Sequence, residues 1–226
     1  MTDPNFHIST PRLYLSYLQP SLPAHCDFLV ALYNTPEFIA SIGGKPTSVT
    51  TRAAAQALIA GRFRAEHARN GYGTYLVSLK PAPPPPPPTN ATTTTTVDPP
   101  DDDDTFSQRL AATCTPIGTV SLSRGEGEPP NAYLAPDLGF AVLPAFTRRG
   151  FAREAAQALL AWAEQQRGVR DVLGLFDPAN EASRAVFKSL GFVDCGVRTL
   201  TVFGGVRGAV WVREGMERGD LGRYGL

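Results

Sequence analysis

Three cysteines in 226 residues, Cys26, Cys114 and Cys195, are too few and too widely separated for the paired spacing of a zinc site or redox dithiol. Their odd number and spread point to a reducing compartment and give no sign of a bound metal. The chain also lacks an excess of either charge. With 21 Lys and Arg against 21 Asp and Glu, no global field draws it to nucleic acid or an anionic membrane, so any anion site must be local. No apolar run approaches the roughly 18 to 20 residues that cross a bilayer, and no basic-then-apolar leader is visible at the start, so a cytoplasmic location is expected. Histidine is scarce: His7, His25 and His67 lie outside every motif described below, and none is assigned a catalytic role.

What is present is a chain 42% hydrophobic, enough for one sizeable core. A single domain over residues 8–218 is expected, interrupted at 81–105 by a segment of different composition. That segment holds six consecutive prolines (Pro83 to Pro88), five threonines (Thr92 to Thr96) and four aspartates (Asp101 to Asp104). Proline lacks the amide donor and favours polyproline II, and the acidic block repels itself, so a disordered, solvated excursion is expected. Pro83 to Pro88 could also engage a proline-binding domain. The flanking runs Tyr72–Lys80 and Pro116–Ser123 are β-rich and read as a hairpin carrying an enlarged loop, the alternative being an interdomain linker. A two-residue turn would then suffice to rejoin them.

Before the tract, Thr10–Leu18 alternates like a half-buried strand, and His25–Asn34 and Thr50–Arg69 have helical spacing, the second ended by Gly71. After it come a buried strand at Leu138–Leu143 stopped by Pro144, a long amphipathic helix over Phe151–Gln166, and a short apolar strand at Val172–Phe176. A helix over Glu181–Leu190 follows. Two last strands, Arg198–Phe203 and Ala209–Arg213, flank Gly204–Gly205. Strands alternating with helices imply an α/β layer around a mixed sheet.

The most informative stretch is LGFAVLPAFTRRGFAREAA, Leu138 to Ala156. A buried strand enters a short turn bearing Arg148, Arg149 and Gly150, and a helix starts at once. Unpaired amides at a helix start, the helix dipole and a glycine that lets a ligand approach the backbone together favour phosphate, although a glycine here also suits a plain tight turn. The stretch resembles the acetyl-CoA-binding motif of the GNAT N-acetyltransferases, with Thr147 where Gln or Arg is usual, then Gly150 and Ala152. The series Gly150, Phe151, Ala152, Glu154, Ala155 is similar to the ribosomal-protein N-terminal acetyltransferase (RimJ/RimL-like) branch, as is TPRLYL at Thr10–Leu15. A second element, PANEASRAVFKSLGF at Pro178–Phe192, resembles the family's Asn-x-x-Ser helix start.

The resemblance implies a mostly antiparallel twisted sheet of about six to seven strands with about four helices, splayed where acetyl-CoA enters. It also implies that Arg148, Arg149, Gly150, Phe151 and Ala152 hold the pyrophosphate, that Val142 and Leu143 lie beside the pantetheine, and that Asn180 and Ser183 meet the coenzyme arm and its sulfur. Asn180 and Ser183 also fit simple helix capping. In the implied chemistry a neutral amine attacks the thioester carbonyl, which a strand amide near Leu143 could polarise. Where many relatives have a Tyr acid, this chain has Phe187, leaving Ser183 to hydrogen-bond the departing sulfur. Asp137 is the candidate base, and Glu154 is read as a partner of the helix dipole. The expected acceptor is a primary amine, on a peptide N-terminus or a small molecule. A non-catalytic acyl-CoA-binding module and a polyproline interaction protein are the alternatives, and oligomeric state is left open.

Overall fold

The computed structural model describes residues 3–81, 105–127 and 132–226; residues 82–104, with Pro83–Pro88 and the acidic block, lie outside the described residues. The strands are β1 (His7–Ser9), β2 (Leu13–Tyr17), β3 (Thr74–Leu79), β4 (Thr115–Ser123), β5 (Asp137–Val142), β6 (Leu173–Phe176), β7 (Val193–Leu200) and β8 (Val206–Val212). They form one sheet in the order β1-β2-β3-β4-β5-β6-β8-β7. Every join is antiparallel except β5 to β6, which is parallel and consists of a single register pair, Asp137 with Leu173. The mixed, mostly antiparallel sheet is thus as expected, with eight described strands in place of six or seven.

The helices are α1 (Pro23–Tyr33), α2 (Pro36–Ser41), α3 (Arg52–Leu58), α4 (Arg64–Asn70), α5 (Phe106–Thr113), α6 (Phe151–Arg167) and α7 (Glu181–Ser189). A single π turn, Ile59–Phe63, joins α3 to α4 as one rod, so the described helices number six where about four were expected. Thr51 caps this rod by accepting from the Ala54 amide, and Gly71 ends it in the left-handed conformation.

Alternation along the strands sends side chains to two faces. On one, Leu13, Leu15, Tyr75, Val77, Val120, Leu122 and Leu138 pack with Phe151, Ala155, Leu159 and Ala163 of α6 and with Phe187 of α7. On the other, the core is divided. Leu18, Leu29, Leu32, Ile59, Phe63 and Leu76 form a cluster under α1, α3 and α4, with Ala141 and Leu143 of β5 at its margin. Leu173, Val210 and Val212 form a separate cluster with Tyr133, Met216, Leu221 and Tyr224. The division falls where β5 and β6 part.

The hairpin expected on either side of the tract is present, β3 pairing with β4. Its connection contains α5, which sequence inspection missed, capped by a box in which Thr105 and Gln108 satisfy each other's end groups. This helix is anchored at its start, where the Ser107 amide and hydroxyl donate to the Pro4 carbonyl at 3.0 and 2.7 Å.

Candidate active site

Pro144 stops β5, and a one-turn 3-10 segment (Pro144–Phe146) leads to an exposed loop at residues 147–150. Arg148 (φ 61°) and Gly150 (φ 79°), on either side of Arg149, are both in the left-handed region, which only the glycine adopts without cost. Gly150 is the N-cap of α6 and offers no side chain to the helix start. The first helical bond runs from the Glu154 amide to the Gly150 carbonyl (3.0 Å), so the amides of Phe151, Ala152 and Arg153 precede the helical ladder. Phe151 is buried in the core and can offer only its backbone, whereas Arg148 and Arg149 are exposed. The residues expected to hold a pyrophosphate are thus brought together as a positively charged, uncapped helix start.

The splay follows from hydrogen-bond alternation. The Leu143 amide donates to the Ile117 carbonyl at 2.8 Å, on the β4 side. In an antiparallel pair, amides of alternate residues point the same way, so those of Ala141 and Gly139 also face β4. Those of Phe140 and Val142 point towards β6, which has diverged after the Asp137–Leu173 pair. The amide able to polarise a carbonyl in this gap is therefore at Val142 or Phe140 and not at Leu143, whose amide is engaged. Register parity, invisible without the β4 partner, decides the difference.

At the foot of the gap the Asp137 carboxylate takes the place of a missing strand carbonyl: its Oδ1 accepts from the Leu175 amide at 2.9 Å. Burial pushes its pKa well above the carboxylate range, with the Leu175 bond opposing the shift. The residue nevertheless keeps some accessible surface. It opens the divide between the two clusters on its face of the sheet.

On the other face, Phe187 of α7 is buried and stacked on Phe176 of β6 with centroids 5.1 Å apart, and lies 5.4 Å from Phe140 of β5. A Cβ on Gly174 would collide with this ring, so the strand must be glycine there for Phe187 to seat. The ring spans the parted strands as an apolar floor and offers no proton. Asn180 caps α7, its Oδ1 accepting from the Ser183 amide at 2.9 Å, which is the capping role its position allowed. Ser183 is half-buried in the first turn, one turn before Phe187.

Glu154 has partners that sequence could not show. Its Oε1 accepts from the Thr10 hydroxyl (2.6 Å) and the Arg12 amide (3.0 Å), and its Oε2 from Arg12 Nε (2.7 Å). Burial alone would raise its pKa, but the Thr10 hydroxyl and the Arg12 groups together hold it below the usual carboxylate range. A cleft of ≈ 440 Å³ lined by Gln19, Phe63, His67 and Gln108, among others, shares no residue with the motifs.

A mixed sheet parted at one parallel join, with a helix that starts uncapped at Gly150 beside the parting, defines the α/β architecture of the molecule. The family model described as "Acetyltransferase (GNAT) domain" matches residues 12–193, and the chain belongs to that acetyltransferase family. Among solved structures it is similar to RimL, the ribosomal L7/L12 α-N-protein acetyltransferase in complex with coenzyme A, at 18% identity and TM-score 0.62, covering 92% of this chain and 97% of that one. It is also similar to the microcin C7 self-immunity acetyltransferase MccE in complex with acetyl-CoA and AMP, at 13% identity and TM-score 0.61, covering 90% and 93%. The ribosomal-protein-S5-alanine acetyltransferase of Vibrio fischeri matches at 15% identity and TM-score 0.60, covering 95% and 100%. No curated protein matches the chain by sequence. Among the described residues no helix is long and apolar enough to cross a membrane.

Proposed function

We propose that this acyltransferase moves the acetyl group of acetyl-CoA directly to a primary amine, on a peptide N-terminus or a small molecule. The observation that carries the reading is the conjunction of the uncapped helix start at Gly150–Arg153 with open strand amides at Phe140 and Val142, on one side of one gap. The first suits a pyrophosphate and the second an extended amide-bearing arm and its thioester. Arg148 and Arg149 add mobile positive charge at the mouth, in a chain with no net charge to supply it.

Asp137 is the group proposed to take the amine's proton, because its depth keeps it a stronger base than a solvated carboxylate. Ser183 is proposed to hydrogen-bond the departing sulfur, since Phe187 cannot. A weak base suits an acceptor of low pKa. An α-amine near 8 is deprotonated about 3 kcal/mol more cheaply at neutral pH than a lysine near 10.4, which favours an N-terminus or a small amine over a lysine side chain. The phenylalanine at the usual acid position is the one observation favouring a non-catalytic acyl-CoA-binding module instead. Release of free thiol from acetyl-CoA, followed over a panel of α-amines, small amines and lysine peptides, separates the two. Turnover with at least one amine is expected; tight CoA binding without turnover on any would leave the binding module.

A further inference from the structure

The loop between β5 and α6 is held from outside by a residue of the connection between β1 and β2. Arg12, just before β2, uses Nε on Glu154 Oε2 (2.7 Å) and Nη1 on the Arg149 carbonyl (3.1 Å), while its guanidinium lies 4.5 Å from the centre of the Phe151 ring. Its Nη2 is 3.5 Å from where a Cβ on Gly150 would stand. Thr10 fixes the other oxygen of Glu154 and is itself fixed by accepting from the Leu13 amide at 2.8 Å.

The contact with the Arg149 carbonyl has a direct consequence for an anion. In a trans peptide the C=O and N–H point in opposite directions, so tying the Arg149 oxygen towards Arg12 turns the Gly150 N–H away from Arg12. A carbonyl oxygen facing a phosphate would repel it; the same peptide reversed donates to it. Glu154 would by itself place a negative charge one turn inside the helix, close to the bound anion. Paired with Arg12 and bonded to Thr10, it is compensated and anchors the fork that orients the peptide.

We propose that Arg12 is a positioning residue for coenzyme phosphate, setting the direction of the Arg149–Gly150 peptide, with Thr10 and Glu154 as its anchor. The proposal rests on the coenzyme reading above. A lysine at position 12 keeps the charge but cannot reach both the carboxylate and the carbonyl with a planar fork. Arg12→Lys should therefore weaken CoA affinity, measured by calorimetry, about tenfold, the worth of one charge-assisted bond to an oriented group. The acetyl-CoA KM should rise in step, with kcat within about twofold, because the reacting atoms are untouched. Thr10→Val, which keeps the side-chain shape, should produce a smaller change of the same kind. Glu154→Gln combined with Arg12→Lys should be no worse than Arg12→Lys alone, since both act through one fork.

A staple that merely joins β2 to α6 would show a lowered melting temperature with unchanged CoA affinity in these variants, and that result overturns the proposal. If Arg12→Lys does not fold, Thr10→Val decides by the same two readouts. A parent chain without CoA affinity would sink the coenzyme reading itself, a failure distinct from that of the variants alone.

Discussion

Single side chains carry the chemistry proposed here, and two of them make opposite demands on experiment. If Ser183 hydrogen-bonds the leaving sulfur, Ser183→Ala should lower kcat by one to two orders of magnitude, roughly 1.4 to 2.7 kcal/mol, with CoA affinity nearly unchanged. The α7 cap should survive, because it uses the Ser183 amide and the Asn180 side chain. Asp137 can be checked by activity and stability together. As a base it should give an acidic limb in the pH–rate profile that Asp137→Asn flattens; a limb that follows the amine's own pKa in both proteins would remove Asp137 from the chemistry. For stability, its folded pKa is raised. Its contribution is therefore fully present below the unfolded carboxylate range and is lost as pH rises through the folded value. Melting temperature against pH should accordingly fall for the parent relative to Asp137→Asn above the ordinary carboxylate range, since asparagine can still accept from Leu175. Parallel curves would mean that the carboxylate is not desolvated.

At the scale of elements, the start of α6 is the part most open to a clean test. Gly150→Asp adds a side chain at φ 79°, next to Arg12, and a negative charge at the anion site. Calorimetry should show CoA affinity lost or severely weakened while circular dichroism keeps its native form; unchanged affinity would place the phosphate elsewhere. This strand-turn-helix unit was legible in the sequence because all its signals are local: a buried run, Pro144, two arginines, a glycine and an amphipathic stretch. The long helices and the final hairpin were legible for the same reason, although β7 begins at Val193, five residues before the expected start at Arg198. What escaped depends on partners remote in the chain. The three-residue β1 is held by pairing with β2, and α2 by the Thr35 cap, which accepts from the Phe38 amide. The direction of the Leu143 amide depends on Ile117, and the role of Glu154 depends on Thr10 and Arg12, 144 and 142 residues away. Periodicity carries no such information.

For the whole molecule, α5 changes what removal of residues 82–104 requires. Lys80 follows β3, and its Nζ donates to the Ser9 hydroxyl at 2.9 Å, whereas the Phe106 amide donates to Asn5 Oδ1 at 2.9 Å. The two anchors, Ser9 and Asn5, are four extended residues apart, about 13 Å, and a two-residue turn does not span that distance. A flexible linker of about six Gly and Ser residues spans that distance, and the shortened protein should keep its turnover. Lost activity in a folded product would give the acidic tract a part in acceptor binding. The parting of β5 from β6 matters at this scale too. With one register pair between them, the sheet is two half-sheets, β1–β5 and β6–β8, joined by Asp137–Leu173 and by the aromatic floor around Phe187. Such halves can open separately, and backbone amides of β6 and β8 should exchange with deuterated solvent on a different timescale from those of β3 and β4. A molecule bound along the gap would contact both halves at once, so saturating CoA should bring the two exchange rates together: the substrate itself would then complete the sheet's cooperativity.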